Sequence, residues 1–171
     1  MPLKLNNGLN FVITNDILYQ KKMQNKICEE NDVLIYVNNI TFSANELRKK
    51  IFWVNEHENS FFKKRRKFKN VIDINSEIVT SLDIQPKVFD LQLRRLWHWS
   101  YLCSCAIGIS KGKQIFIFPW IRGKECAIQS YRFQKLYEYS IANNLTVLIP
   151  TDDLSQLEND KQKTLKYNVI M

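Results

Sequence analysis

The sequence predicts an α/β domain: a mostly parallel β-sheet flanked by helices. Three observations predict it. Short apolar, β-branched or aromatic runs alternate with stretches of helical periodicity along the chain. Two of the runs, Ile115–Pro119 (IFIFP) and Leu145–Pro150 (LTVLIP), are continuously apolar. That is the pattern of parallel strands covered on both faces rather than of a sheet with one wet face. The order strand, helix, strand in the second half defines a βαβ unit, right-handed by default. With 171 residues, 45% hydrophobic and 25% charged, the chain has the composition of one globular domain with a sizeable core.

Taken in order, the first strand candidate is Leu9–Thr14 (LNFVIT), followed by Val33–Val37 (VLIYV). Ser43-Ala-Asn-Glu46 then reads as a capping box opening a helix, because the Ser hydroxyl can accept from the Glu46 N–H while the Glu carboxylate reaches back to the Ser43 N–H. Ile51–Asn55 (IFWVN) follows as a strand. From Asp90 to about Ile107 the apolar residues Leu91, Leu93, Leu96, Trp97, Trp99, Tyr101 and Leu102 crowd a predicted helix, implying deep burial or a sticky face. After Ile115–Pro119, the stripe Ile128, Tyr131, Phe133, Leu136, Tyr137 and Ile141 predicts a helix over about 125–143, closed by Asn143-Asn144 before the last strand. No repeat, linker or low-complexity stretch divides the chain, so residues 1–171 read as a single domain.

Composition narrows the chemistry. Only four glycines are present, which argues against a glycine-rich phosphate loop, since such a loop brings backbone N–H groups onto phosphate where side chains would obstruct. The two histidines, His57 and His98, and four scattered cysteines form no plausible zinc set or disulfide framework. Cys103 and Cys105 sit in an apolar stretch and read as buried thiols. No run is long enough to span a membrane and the amino terminus lacks a signal-peptide pattern, so a cytoplasmic chain is expected. The net charge of +8 is concentrated in Phe61-Phe62-Lys63-Lys64-Arg65-Arg66-Lys67-Phe68-Lys69. Basic residues flanked by aromatics suit an anionic partner, a nucleic acid or a membrane surface. The plainer reading is a solvated loop with its phenylalanines turned inward.

The order of these pieces resembles the nucleotide-binding domain of ATP-binding cassette (ABC) transporters. Leu3–Thr14 looks like the strand and turn before that family's phosphate loop, and Asp32–Glu56 like the strand, turn and helix leading to its Q-loop. Gln92–Ile107 resembles the helix after the signature motif, Ile115–Trp120 the Walker B strand, and Leu145–Leu154 the strand leading to the switch histidine. The resemblance implies a P-loop NTPase fold of the ABC ATPase kind. It also implies a truncated N-terminus and a reduced helical subdomain, because little chain separates Glu56 from Val88.

The residues that do chemistry in that family are not found at the matching positions. The Walker A position reads Thr14-Asn15-Asp16-Ile17-Leu18-Tyr19-Gln20-Lys21-Lys22, with neither glycine nor a Lys-Ser/Thr pair. The Walker B Asp and catalytic Glu fall on Pro119 and Trp120, the switch histidine on Asp152, the signature on Val88–Gln92, and the Q-loop glutamine on Glu56. The one decoy, Gly108-Ile-Ser-Lys-Gly112-Lys113-Gln114, is a residue too short and precedes a strand. The expectation is a degenerate cassette: not an enzyme, with no catalytic residues, no metal and no cofactor.

Such a domain is expected to act as a pseudo-ATPase, a protein-binding or regulatory subunit of an ABC-type transporter or of a peptide export or processing complex. Its partners would be a competent ABC ATPase, a membrane permease or a peptide-processing assembly, with a homo- or hetero-dimer as one arrangement, placing it peripheral to the membrane. Trp97, His98, Trp99, Tyr101 and Trp120 are the candidate partner-binding aromatics; they either fill the vacated nucleotide pocket or line a groove for an apolar peptide. The alternative is a nucleic-acid-binding accessory protein using the basic segment 63–69, with Lys63, Lys64, Arg65, Arg66 and Lys67 as its candidate contacts, together with Arg48, Lys49 and Lys50. A third reading, an enzyme using Cys103 or Cys105 with His98, has little to carry it.

Overall fold

Val147, Leu148 and Ile149 are wholly buried because their strand lies inside a sheet with both faces covered. The computed structural model describes residues 3–29, 35–55, 65–96, 99–158 and 167–170. The elements are β1 (Leu3–Leu5), β2 (Gly8–Ile13), α1 (Tyr19–Glu29), β3 (Ile35–Val37), β4 (Ile40–Phe42), α2 (Ala44–Lys50) and β5 (Ile51–Trp53). They continue with α3 (Glu77–Ser81), α4 (Ser100–Ser110), β6 (Ile115–Ile117), α5 (Gly123–Ile128), α6 (Ser130–Ala142), β7 (Thr146–Thr151), α7 (Ser155–Glu158) and β8 (Asn168–Ile170).

The main sheet has the order β5-β6-β7-β2-β8, and every pairing in it is parallel. Its continuous apolar strands serve two cores. Phe116 and Phe118 join Leu9, Phe11, Val147 and Ile149 on the face covered by α4 and α6. Ile115, Ile117 and Leu148 face Leu5, Ile27, Ile35 and Leu47 on the other side. The α/β, mostly parallel fold is therefore as the sequence predicts. A small second sheet, β1-β3-β4, carries one parallel and one antiparallel pairing; its three-residue strands are too short to announce themselves as a sheet in the sequence.

The capping box at Ser43 forms: Ser43 N donates to Glu46 Oε2 at 2.9 Å, and Glu46 N donates to Ser43 Oγ at 3.4 Å. Two helix expectations need correction. The predicted helix over 90–107 begins only at Ser100, and Leu93–Arg95 is a 3-10 turn. The reason is tertiary: the backbone there is engaged by the segment before it, with Leu93 N donating to Arg66 O, Phe68 N to Leu91 O and Lys69 N to Phe89 O. The predicted helix over 125–143 is two helices, α5 and α6, meeting at Gln129 (φ −93°, ψ 6°). The apolar periodicity carries across that bend and conceals it. Residues 65–96 hold three 3-10 turns, the five-residue α3 and an antiparallel bridge between Lys67 and Gln92.

Candidate functional site

In an open parallel sheet, ligands bind beyond the carboxyl ends of the strands. Here that end is occupied by the chain's own side chains. Between β2 and α1 lie five residues, Thr14–Leu18, none of them glycine. Asp16 closes them into an Asx turn: Leu18 N donates to Asp16 Oδ1 at 3.1 Å and Asp16 N donates to Thr14 Oγ1 at 3.1 Å. Tyr19 N donates to Asp16 O. A carboxylate thus sits at the N-terminus of α1, where its negative charge meets the positive end of the helix. Lys22 Nζ, 2.7 Å from Asp16 Oδ2, holds the carboxyl below the usual carboxylate range.

At the second position of α1, the Gln20 side chain closes the neighbouring strands. Its Nε2 donates to Ile117 O at 2.7 Å and to Val54 O at 3.1 Å, joining the carboxyl ends of β6 and β5. Beyond β6, Pro119 and Trp120 form a short bulge before Ile121 rejoins Thr151 in a parallel bridge. Trp120 Nε1 donates to Thr14 O at 2.8 Å, tying the loop after β6 to the loop after β2. After β7, Asp152 Oδ1 accepts from Gly123 N at 2.7 Å and so caps α5. Gly123 is required there, because a Cβ would collide with the Asp153 backbone carbonyl.

No protein-family model matches the sequence, and no curated protein sequence matches it. Solved structures do match the fold. cbiO1 from Clostridium perfringens, part of the ABC transporter complex cbiONQ, superposes with a TM-score of 0.54 at 13% identity, over 85% of this chain and 67% of that one. MJ0796, a dimeric bacterial ABC transporter cassette, gives 0.53 at 14% identity, over 92% of this chain and 80% of that one. The chain has the fold of an ABC ATPase cassette. A bacterial Atm1-family ABC exporter with ATP bound gives 0.52 at 12% identity, over 96% of this chain but 32% of the exporter.

Within that cassette fold, the decoy at Gly108–Gln114 lies at the amino end of β6, away from the carboxyl ends of the strands. It terminates α4: Gly112 has φ +71°, its N–H donates to Ile109 O, and Lys113 N donates to Gly108 O. This is a helix C-cap. Cys103, Cys105 and Cys126 are buried; burial raises the Cys105 thiol pKa and pushes Cys126 up to about 12. They are packing thiols, with no ready nucleophile among them. No group of His, Cys, Asp and Glu suited to a metal ion occurs among the described residues.

The predicted aromatic residues do not share one environment. Trp97 and His98 lie outside the described residues. Trp99 and Tyr101 are half-buried against the larger core, Tyr101 stacking 5.4 Å from Phe118 and Trp99 lying beneath Arg132 at 4.5 Å. Trp120 is engaged with Thr14 instead. Of the basic run, Lys63 and Lys64 lie outside the described residues, while Arg65, Arg66 and Lys67 are exposed. Phe68 turns fully inward. Lys67 and Lys69 both pair with Asp90, at 2.9 and 2.8 Å, and their charges lower its carboxyl to about 2. Sequence reasoning missed Gln20, because its partners are backbone carbonyls remote in the chain. The Asx turn did leave a signal in Thr14-Asn15-Asp16 before a helical stretch.

Proposed function

We propose that this chain is a non-catalytic cassette, a pseudo-ATPase that serves as a protein-binding or regulatory subunit of an ABC-type transporter or a peptide export or processing complex. The observation that supports this reading most directly is the self-occupied carboxyl end of the sheet. Asp16 takes the helix N-terminus where a phosphate would sit, Gln20 takes the carbonyls of β5 and β6, and Trp120 ties down the loop at Thr14. A glycine-free loop of five residues cannot wrap a triphosphate with its backbone, and Pro119 and Trp120 supply neither a metal-holding carboxylate nor a base for water.

The cassette neighbours belong to transporter assemblies, and MJ0796 is dimeric; a protein partner or a dimer follows from that likeness as part of the proposal. Ile17 and Leu18, 67% and 53% exposed at the tip of the loop, add apolar surface at the same end. No helix among the described residues is long and apolar enough to cross a membrane, so association with a bilayer would run through the partner. Calorimetry with a non-hydrolysable ATP analogue and Mg²⁺ tests the proposal: no binding is expected, and tight Mg²⁺-dependent binding would overturn it. Capture of a partner that survives high salt and is lost on Trp99→Ala would support the binding role. Loss of that partner as salt rises, with recovery unaffected by Trp99→Ala, would favour the nucleic-acid alternative.

A further inference from the structure

Arg132 lies in the first turn of α6, where the partial positive charge of the helix end disfavours a cation. Its guanidinium rests 4.5 Å from the centroid of the Trp99 ring, and Lys87 Nζ lies 5.9 Å from the same centroid. Two cations therefore meet at one indole. No carboxylate among the described residues pairs with Arg132, and its buried Nε has no hydrogen-bond acceptor. Partial burial without a counter-charge lowers the guanidinium pKa. Three residues earlier, at the head of the same helix, Gln129 is 6% exposed and its Oε1 has no donor. Buried polar groups in folded proteins are normally satisfied, yet here an unmet donor and an unmet acceptor stand one turn apart.

We propose that Trp99, Arg132 and Lys87 form a docking point for an acidic side chain of a protein partner. The inference rests on the protein-binding reading above and gives that partner a chemistry. A planar carboxylate matches the guanidinium fork, and the indole holds that fork in place.

The test is a titration of the isotope-labelled full chain, read at the Arg132 Nε–H and Trp99 indole N–H resonances. The probe is N-acetyl-aspartate N-methylamide, with the asparagine analogue and inorganic phosphate as comparisons. Saturable shifts of both resonances with the aspartate probe are expected, none with the asparagine analogue, and about tenfold weaker binding of phosphate. Arg132→Lys, which keeps the charge and loses the fork, should weaken the aspartate probe by about tenfold, with the Trp99 resonance confirming that the fold persists. Absence of a saturable shift, or phosphate binding as tightly as the aspartate probe, would overturn the assignment. So would a response that emerges only in Glu56→Gln/Glu58→Gln, since the carboxylate would then be the chain's own. Tight ATP binding would remove the non-catalytic reading without changing this titration, and a silent titration would remove the docking point alone.

Discussion

Replacing Gln20 by alanine removes both donors that close the carboxyl ends of β5 and β6, and its consequence can be worked from the bonds present. Ile117 O receives Gln20 Nε2 at 2.7 Å and also the Val54 N–H at 2.9 Å. After the substitution it keeps the second donor, so that loss costs about 1 kcal/mol. Val54 O loses its side-chain donor at 3.1 Å, and a partly desolvated carbonyl left unmet costs roughly 1–2 kcal/mol. The sum is about 2–3 kcal/mol, a fall in Tm of roughly 4–12 °C for a domain of this size. Urea unfolding should show a lower midpoint with an unchanged slope. Gln20→Glu sharpens the test. The introduced carboxyl faces two carbonyl oxygens, which raise its folded-state pKa above the unfolded value, so the variant should be more stable when protonated and lose stability as pH rises through the carboxyl range. If Gln20→Ala unfolds within about 0.5 kcal/mol of the wild type, or Gln20→Glu shows no such pH trend, the closure does not hold the strand ends together.

Further outcomes are expected elsewhere. Gly123→Ala places a Cβ against the Asp153 carbonyl and should destabilise by at least about 2 kcal/mol; Gly112→Ala, with open space but φ +71°, should cost about 1 kcal/mol, and urea melts would rank them. Because the Asp90 carboxyl is lowered to about 2, its pairing with Lys67 and Lys69 contributes above the unfolded carboxylate pKa and is lost as pH falls toward 2. The acid-unfolding profile of Asp90→Asn should therefore be flatter between pH 4 and 2 (about the window those two values span). Maleimide at neutral pH should modify Cys28 and spare Cys103, Cys105 and Cys126, as read by mass spectrometry of the native protein; rapid labelling of Cys126 would contradict its packing against Thr151.

The two-faced burial of Ile115–Phe118 was legible because an uninterrupted apolar run has few other uses in a short segment. Ser43 and Glu46 were legible because a capping box is local, and its donors and acceptors lie within three residues. The stretch 90–99 misled for the opposite reason. Its density of Leu and Trp fits a helix, but the backbone partners that decide its conformation are Arg66, Phe68 and Lys69, supplied from another segment. Gln20 and Arg132 were illegible on the same grounds: one acts on carbonyls about thirty-four and ninety-seven residues away, and the other is notable for having no carboxylate partner among the described residues. The positions resembling the cassette's chemical motifs could be read from the sequence. The contacts that Asp16, Gln20 and Trp120 make at the strand ends could only be seen once the strands were assembled.

The bond from Gly123 N to Asp152 has a mechanical consequence. It joins the start of α5 to the end of β7, while Ile121, just before α5, bridges Thr151 beside it. Both links lie within a few residues of each other, so the end of β7 and the first turn of α5 are coupled: whatever displaces the loop at Asp152 pulls on the N-terminus of α5.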